Sequence, residues 1–127
     1  MDGFRLVDGL TMGMERVLDL RSAQHLLTAG NLANADTPGY LAQEIPFDEL
    51  LSDVVRAAER GEAGPTIGNG AEVRFLEAPP GTLDGNSVSP EHEAVRMTSN
   101  SLMFDTVTTG LNRRLAMLRF AASDGRA

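Results

Sequence analysis

Two histidines, His25 and His92, are the first residues to test for chemistry. They fall in different predicted helices and lack clustered Cys, Asp or Glu at metal-ligand spacing, so they read as surface or interhelix imidazoles. Glu91 and Glu93 would be an acid–base pair by type. Two residues apart on a helix, however, their side chains diverge. Complementing the positive end of a helix, together with solvation, accounts for them better. The chain has no Cys, which removes thiolate nucleophiles, thiolate metal sites and disulfides, and leaves the redox compartment unread. No GxSxG elbow or Walker loop occurs, and the Gly-Asn-Gly at 68–70 and Asp-Gly-Asn at 84–86 lack the spacing and strand–helix context of a phosphate loop. Six Met, among them Met12, Met14, Met97, Met103 and Met117, could line an adaptable groove, but at helical spacing they read as gap-filling core. Catalytic and metal-binding residues are therefore expected to be none, and so are cofactors. The chain does not read as an enzyme.

What remains is a cluster of amides, hydroxyls and turn residues in NLANADTPGY, residues 31–40. Asn31 and Asn34 lie one turn apart at a helix end, where their amides can satisfy carbonyls that the terminating helix leaves unpaired. Asp36 and Thr37 can fold back onto nearby backbone N–H groups. Thr37 precedes a proline and is biased to an extended conformation, which blocks continuation of the helix. Pro38-Gly39 suits the two central positions of a type II turn, with Gly39 taking a positive φ. Tyr40 can then pack back on the helix with its hydroxyl bonded to a polar neighbour. On residue types alone this is a rigid chain reversal, structural before it is a binding site.

The elements that position this turn follow from periodicity. A helix is predicted over about 9–35, with Leu10, Met14, Val17 and Leu18 on one face and the apolar set rotating after Arg21 to Leu20, Ala23 and Leu27. A helix with apolar residues on several sides needs several neighbours. Residues 47–61 predict a short amphipathic helix capped by Asp48 and stopped by Gly61, burying Leu50, Leu51, Val54 and Val55. From 61 to 89 the pattern gives way to Gly, Pro and Asn, with one candidate strand at Val73–Leu76. A second long helix is predicted over 89–122, capped by Ser89 with Pro90 at its first position. In it Met97, Phe104, Leu111 and Leu118 recur every seven residues with Val107 and Leu115 beside them, a coiled-coil-like seam. The polar Ser101 and Thr108 beside that seam would make a poor two-stranded zipper, so further partners must supply the rest.

The expected fold is mainly α: long N- and C-terminal helices paired as a coiled coil, a short helix, and a Gly/Pro-rich, largely irregular middle. The corresponding units are an N-terminal helix at 1–35, a turn and short helix at 36–60, a flexible loop at 61–88 and a C-terminal helix at 89–127. With six aromatics and no Trp, such a pair of helices holds few large anchors for a self-sufficient core. Packing against further subunits would stabilise it. The formal net charge of −7, with no basic stripe, argues against nucleic acid. The N-terminus lacks the apolar run of a secretory signal, and no segment approaches the ~20 apolar residues of a membrane span.

NLANADTPGY resembles the signature of the bacterial flagellar axial family of rod, hook and hook-junction proteins. The stretch TPGYLAQEIPF with a short helix directly after it, and the tail DGNSVSPEHEAVRMTSNSLMFDTVTTGLNRRLAMLRFA, are similar to the FlgB-type proteins of the proximal rod. Phe104 stands where that type commonly has Tyr, and Gln43 or Leu41 where a basic residue is frequent. The resemblance implies a structural subunit that assembles helically with copies of itself and other rod proteins into a hollow drive shaft, with its base near the membrane ring and export gate. It implies export by the flagellar type III apparatus to the basal-body rod in the periplasmic space, and no small-molecule substrate. It also implies that Asn31, Ala33, Asn34, Asp36, Thr37, Pro38, Gly39 and Tyr40 form a turn that contacts neighbouring subunits. Leu20, Leu27, Met97, Phe104, Leu111, Leu115 and Leu118 are the helix-packing seam. A cytoplasmic helical adaptor or export chaperone is the alternative, and it should fold stably alone as a defined small oligomer.

Overall fold

The computed structural model describes residues 2–123 and 125, with side chains from position 8 onward. It is mainly helical. In chain order it contains α1 (Asp2–Ala33), β1 (Gln43–Glu44), α2 (Phe47–Glu59), β2 (Thr66–Ile67), β3 (Gly70–Ala71), β4 (Arg74–Phe75) and α3 (Pro90–Ala122). Helix α1 begins at Asp2, earlier than the apolar pattern from position 9 predicts. Helical residues outside the periodic stretch carry no such pattern, which is why the sequence hides them.

Helix α1 is the central element, and α2 and α3 both pack against it. Helix α3 runs antiparallel to α1. Asn31 hydrogen-bonds Glu93, Arg21 bonds Asn100, and Arg114 bonds Thr11. These α3 positions belong to one heptad row, Glu93, Asn100, Val107 and Arg114. The contact between the two long helices is therefore held by polar side chains. The neighbouring apolar row is covered less: Phe104, Leu115 and Leu118 each keep more than a third of their surface exposed.

The apolar core lies on the α2 side. Leu20, Ile45, Leu50, Val54 and Ala71 are buried together, with Val17, Ala23, Leu27 and Phe47 packed against them. Each large side chain buried there contributes roughly 1.5–3 kcal/mol. Leu20 and Leu27 thus serve the junction with α2. Gly13 lets α1 approach Ala58 of α2, and a Cβ on Gly9 would overlap the Ala58 carbonyl. The buried row of α2 is Leu50, Val54 and Ala57, whereas Leu51 and Val55 face outward, contrary to the expectation that both would be buried. Three turns of helix leave two adjacent apolar rows equally plausible, and only the position of α1 chooses between them. Nor does Asp48 cap this helix: it starts at Phe47 after Pro46, without a side-chain cap.

The middle segment is short on regular structure but pinned at several points. Strand β1 pairs antiparallel with β4, Gln43 opposite Phe75 and Glu44 opposite Arg74. Within the expected Val73–Leu76 strand, Arg74 and Phe75 form the ladder and the Leu76 amide donates to the Ala42 carbonyl at 2.8 Å. Strands β2 and β3 pair with each other, Thr66 with Gly70 and Ile67 with Ala71. At the start of α3, the Ser89 hydroxyl accepts a hydrogen bond from the His92 amide and Pro90 takes the first turn. That cap needs only local chemistry, and the sequence shows it directly.

Candidate functional site

The signature stretch forms a tight reversal after α1. Asn34 donates from Nδ2 at 2.9 Å to the Gly30 carbonyl, which also accepts from the Asn34 backbone amide at 3.2 Å. The Tyr40 amide donates to the Thr37 carbonyl at 3.2 Å across Pro38-Gly39, and Gly39 takes φ +74. These are the marks of the expected type II turn. Thr37 donates its hydroxyl to Asn34 Oδ1 rather than accepting from the backbone. Asp36 is exposed and makes no hydrogen bond among the described residues. Ala33, Thr37, Pro38 and Gly39 are likewise exposed, so the outer surface of the turn is open.

Asn31, expected to cap its own helix, gives its side chain to other elements instead. Its side chain is fully buried. Its Nδ2 donates to the Gln43 carbonyl at 2.9 Å and to Glu93 Oε2 at 3.0 Å, while its Oδ1 accepts from the Gln43 amide at 2.9 Å and the Tyr40 hydroxyl at 3.4 Å. One amide thereby ties the turn, β1 and the first turn of α3 together, and all four of its hydrogen-bonding positions are used. Residues 31 and 93 are 62 positions apart. No local signal announces such a pair.

A second clamp comes from residues 84–87. Asn86 is buried, and its Nδ2 donates to the carbonyls of Asn34 at 2.9 Å and Thr37 at 2.7 Å. The Gly39 amide donates to the Asp84 carbonyl at 2.7 Å, and the Ser87 amide to the Tyr40 carbonyl at 3.0 Å. The Ala42 amide donates to the Ser87 hydroxyl at 2.7 Å. By residue type alone Asp84-Gly85 is no more than a local turn dipeptide. The fold makes it the partner that holds the signature turn from behind.

Glu93 is another residue that local reasoning misplaces. Expected to be solvated at a helix N-terminus, it is only 2% exposed. It accepts from Asn31 and pairs with Arg96 at 3.1 Å, and Arg96 reaches on to Glu44 at 2.9 Å. The chain of charges continues through Arg74, which contacts Glu44 at 3.9 Å and binds Glu49. That hydrogen bond to Glu49 raises the Arg74 pKa above its ordinary value. A buried carboxylate is tolerated only when its oxygens are paired in this way. The signal available in the sequence was the heptad row of 93, 100, 107 and 114.

Between β1, the start of α2 and the first turns of α3 lies an open cleft of about 630 Å3. Arg21 crosses its floor with the guanidinium 3.8 Å from the centre of the Phe47 ring. Burial pushes the Arg21 pKa down, opposed by the negative charge of Asp48. Asn100 donates to the Arg21 carbonyl at 2.8 Å. His92 lines the same cleft and is exposed, as is His25 elsewhere on α1. Among the described residues, no group of three His, Cys, Asp or Glu could hold a metal ion.

The structure thus gathers Asn31, Asn34, Thr37, Pro38, Gly39 and Tyr40 into one rigid feature at the end of α1. The seam residues lie apart from it. Met97 and Leu111 are half-buried on α3, and Phe104, Leu115 and Leu118 are exposed along the same helix. No family model matches the chain. Among individual proteins, it is 33% identical over 129 residues to the flagellar basal body rod protein FlgB of Cereibacter sphaeroides, an alignment that covers 95% of this chain and 97% of that one. The FlgB of Salmonella typhimurium is 30% identical over 125 residues, covering 86% and 89% of the two chains. The FlgB of Yersinia enterocolitica is 28% identical over 129 residues, covering 86% and 90%. Matches that run through the signature turn, its clamp and both long helices show that the chain belongs to the FlgB family of flagellar basal body rod proteins.

Proposed function

We propose that the chain is a structural subunit of the proximal part of the flagellar rod, where its copies and related rod proteins pack helically into a hollow drive shaft. Membership of the FlgB family, with both chains matched over most of their length, is the observation that carries this reading. The physics of the single chain supports it. Large apolar side chains on α3 remain uncovered, and its contact with α1 is largely polar. Covering that apolar row is the work of neighbouring helices, and each side chain fully covered stabilises the assembly by roughly 1.5–3 kcal/mol.

In this reading α1 and α3 form the coiled-coil core. Met97, Phe104, Leu111, Leu115 and Leu118 meet helices of adjacent subunits, while Leu20 and Leu27 hold α1 to α2. The exposed outer surface of residues 33–39 contacts a neighbour, and its shape is kept constant by Asn31 and Asn86 behind it. The subunit travels through the flagellar type III apparatus and lies in the periplasmic rod, near the membrane ring. Deleting the gene in its host and imaging purified basal bodies tests the proposal. Rings that persist without a rod are expected. Complete rods on motile cells would overturn it.

A further inference from the structure

Among the uncovered helix faces of the described residues, two are complementary. On α2, Asp48, Leu51, Val55 and Glu59 follow one another at spacings of three and four, which places them on a single stripe away from the buried Leu50, Val54 and Ala57. Leu51 is 52% and Val55 49% exposed, so an apolar pair sits between two carboxylates. Glu49 and Asp53 are engaged by Arg74 and Arg56, but Asp48 and Glu59 form no ion pair among the described residues. On α3, Arg113, Met117 and Phe120 form a second stripe at the same spacings, beside Arg114 and its bond to α1. Met117 is 66% and Phe120 54% exposed. Arg113 and Arg119 also lack an ion pair among the described residues. From Thr106 to Ala122 the helix carries three Arg and no carboxylate, whereas α2 carries four carboxylates and one Arg.

We infer that the α3 stripe of one copy docks on the α2 stripe of a second copy, with Met117 and Phe120 against Leu51 and Val55 and Arg113 meeting Glu59 or Asp48. Helices α2 and α3 each pack against α1 and not extensively against each other, which keeps the two stripes apart within one chain. A contact between two different faces is heterologous, so every copy still offers one free stripe of each kind and the contact repeats along an assembly. Opposite charge sets the register, and the apolar pairs supply the area. This inference rests on the assembly role proposed above and names two surfaces that carry it.

The chain has no Cys, so engineered thiols report proximity cleanly. A host lacking the native gene is made to express Val55→Cys and Met117→Cys chains together, and its purified basal bodies are treated with a short bis-maleimide. A cross-linked dimer of the two chains is expected, and neither variant alone should give one. Arg113→Glu placed in the Met117→Cys chain should abolish the band, and Glu59→Arg with Asp48→Arg in the Val55→Cys chain should bring it back. Arg113→Lys controls for folding and should keep the band. Absence of the mixed dimer in intact rods would overturn the inference while leaving the rod role standing. So would equal dimer from either variant alone, or cross-linking of the thiols only to a different rod protein. Intact rods in the gene deletion would instead remove the assembly role itself.

Discussion

Replacing Asn31 with Asp changes no volume and reverses one hydrogen-bonding direction, and its cost follows from the four contacts of the buried amide. The two bonds accepted by Oδ1 survive. The two donated by Nδ2, to the Gln43 carbonyl and to Glu93 Oε2, do not. The first is worth about 1 kcal/mol and the second, to a charged acceptor, roughly 1.5–3 kcal/mol. A new carboxylate oxygen would then stand about 3 Å from Glu93 Oε2, where Coulomb repulsion at an effective dielectric near 20 reaches about 5 kcal/mol. Protein relaxation aside, that repulsion is capped by uptake of one proton shared between the two carboxyls. At pH 7, some three units above the ordinary carboxyl range, proton uptake costs about 4 kcal/mol. It also restores a donor toward Glu93. The expected destabilisation is therefore about 4–5 kcal/mol at pH 7. The folded variant then binds more protons than its unfolded chain, so its deficit shrinks as pH falls, by about 1.4 kcal/mol per unit, until the unfolded carboxyls also protonate near pH 4. Urea unfolding followed by circular dichroism, for variant and parent at pH 7 and pH 5, measures this difference. A variant as stable as its parent at pH 7, or a deficit equal at both pH values, would refute the pairing of Asn31 with Glu93.

Three further perturbations separate backbone, clamp and packing. Gly39→Val forces a β-branched residue to φ +74 where an added Cβ would meet no atom within 4 Å, so its cost of about 1–3 kcal/mol is conformational rather than steric. Motility and rods should be lost with Gly39→Val but largely retained with Gly39→Asn, as swarming assays and electron microscopy would show. Asn86→Ala removes two donated bonds and one accepted from the Val88 amide, costing about 2–4 kcal/mol. Hydrogen exchange should then quicken at Gly39 and Val88 before it does in α2. Gly9→Ala drives a Cβ into the Ala58 carbonyl and should cost about 1–3 kcal/mol by displacing α2, seen as a lower Tm with the turn unaffected.

How much of this was legible in the sequence depended on the range of each interaction. The Ser89–Pro90 start of α3 and the positive φ of Gly39 are local, and both could be read residue by residue. The turn of α2 that buries Leu50, Val54 and Ala57 could not, because Leu51 and Val55 make an equally good row until α1 is in place. Asn31 looked like a helix cap and Glu93 like a solvated dipole partner. Each assignment was chemically sound for an isolated helix. Both gave way to a pairing across 62 residues, which only tertiary structure can create. The clamp from Asn86 was hidden in the same way, since its partners Asn34 and Thr37 lie about fifty residues earlier.

The distribution of polar and apolar rows on α3 also explains how one helix can serve two contacts. The row facing α1 is Glu93, Asn100 and Arg114 with Val107 between, and the three polar members each hydrogen-bond a specific α1 residue. Slipping α3 by one turn would leave Glu93 and Asn100, both almost wholly buried, without those partners. Unsatisfied buried polar groups cost about 1–3 kcal/mol each, and more where charged. An all-leucine row would bind more tightly but would tolerate such slips. Polar pairing inside the chain thus fixes the register between α1 and α3, and with it the spacing between the signature turn and the stripe on α3. The apolar row beside it carries no such discrimination and stays open. Subunits that must meet at repeated, equivalent positions need that division: a specific, modestly stable fold within the chain, and adhesive surface left for its neighbours.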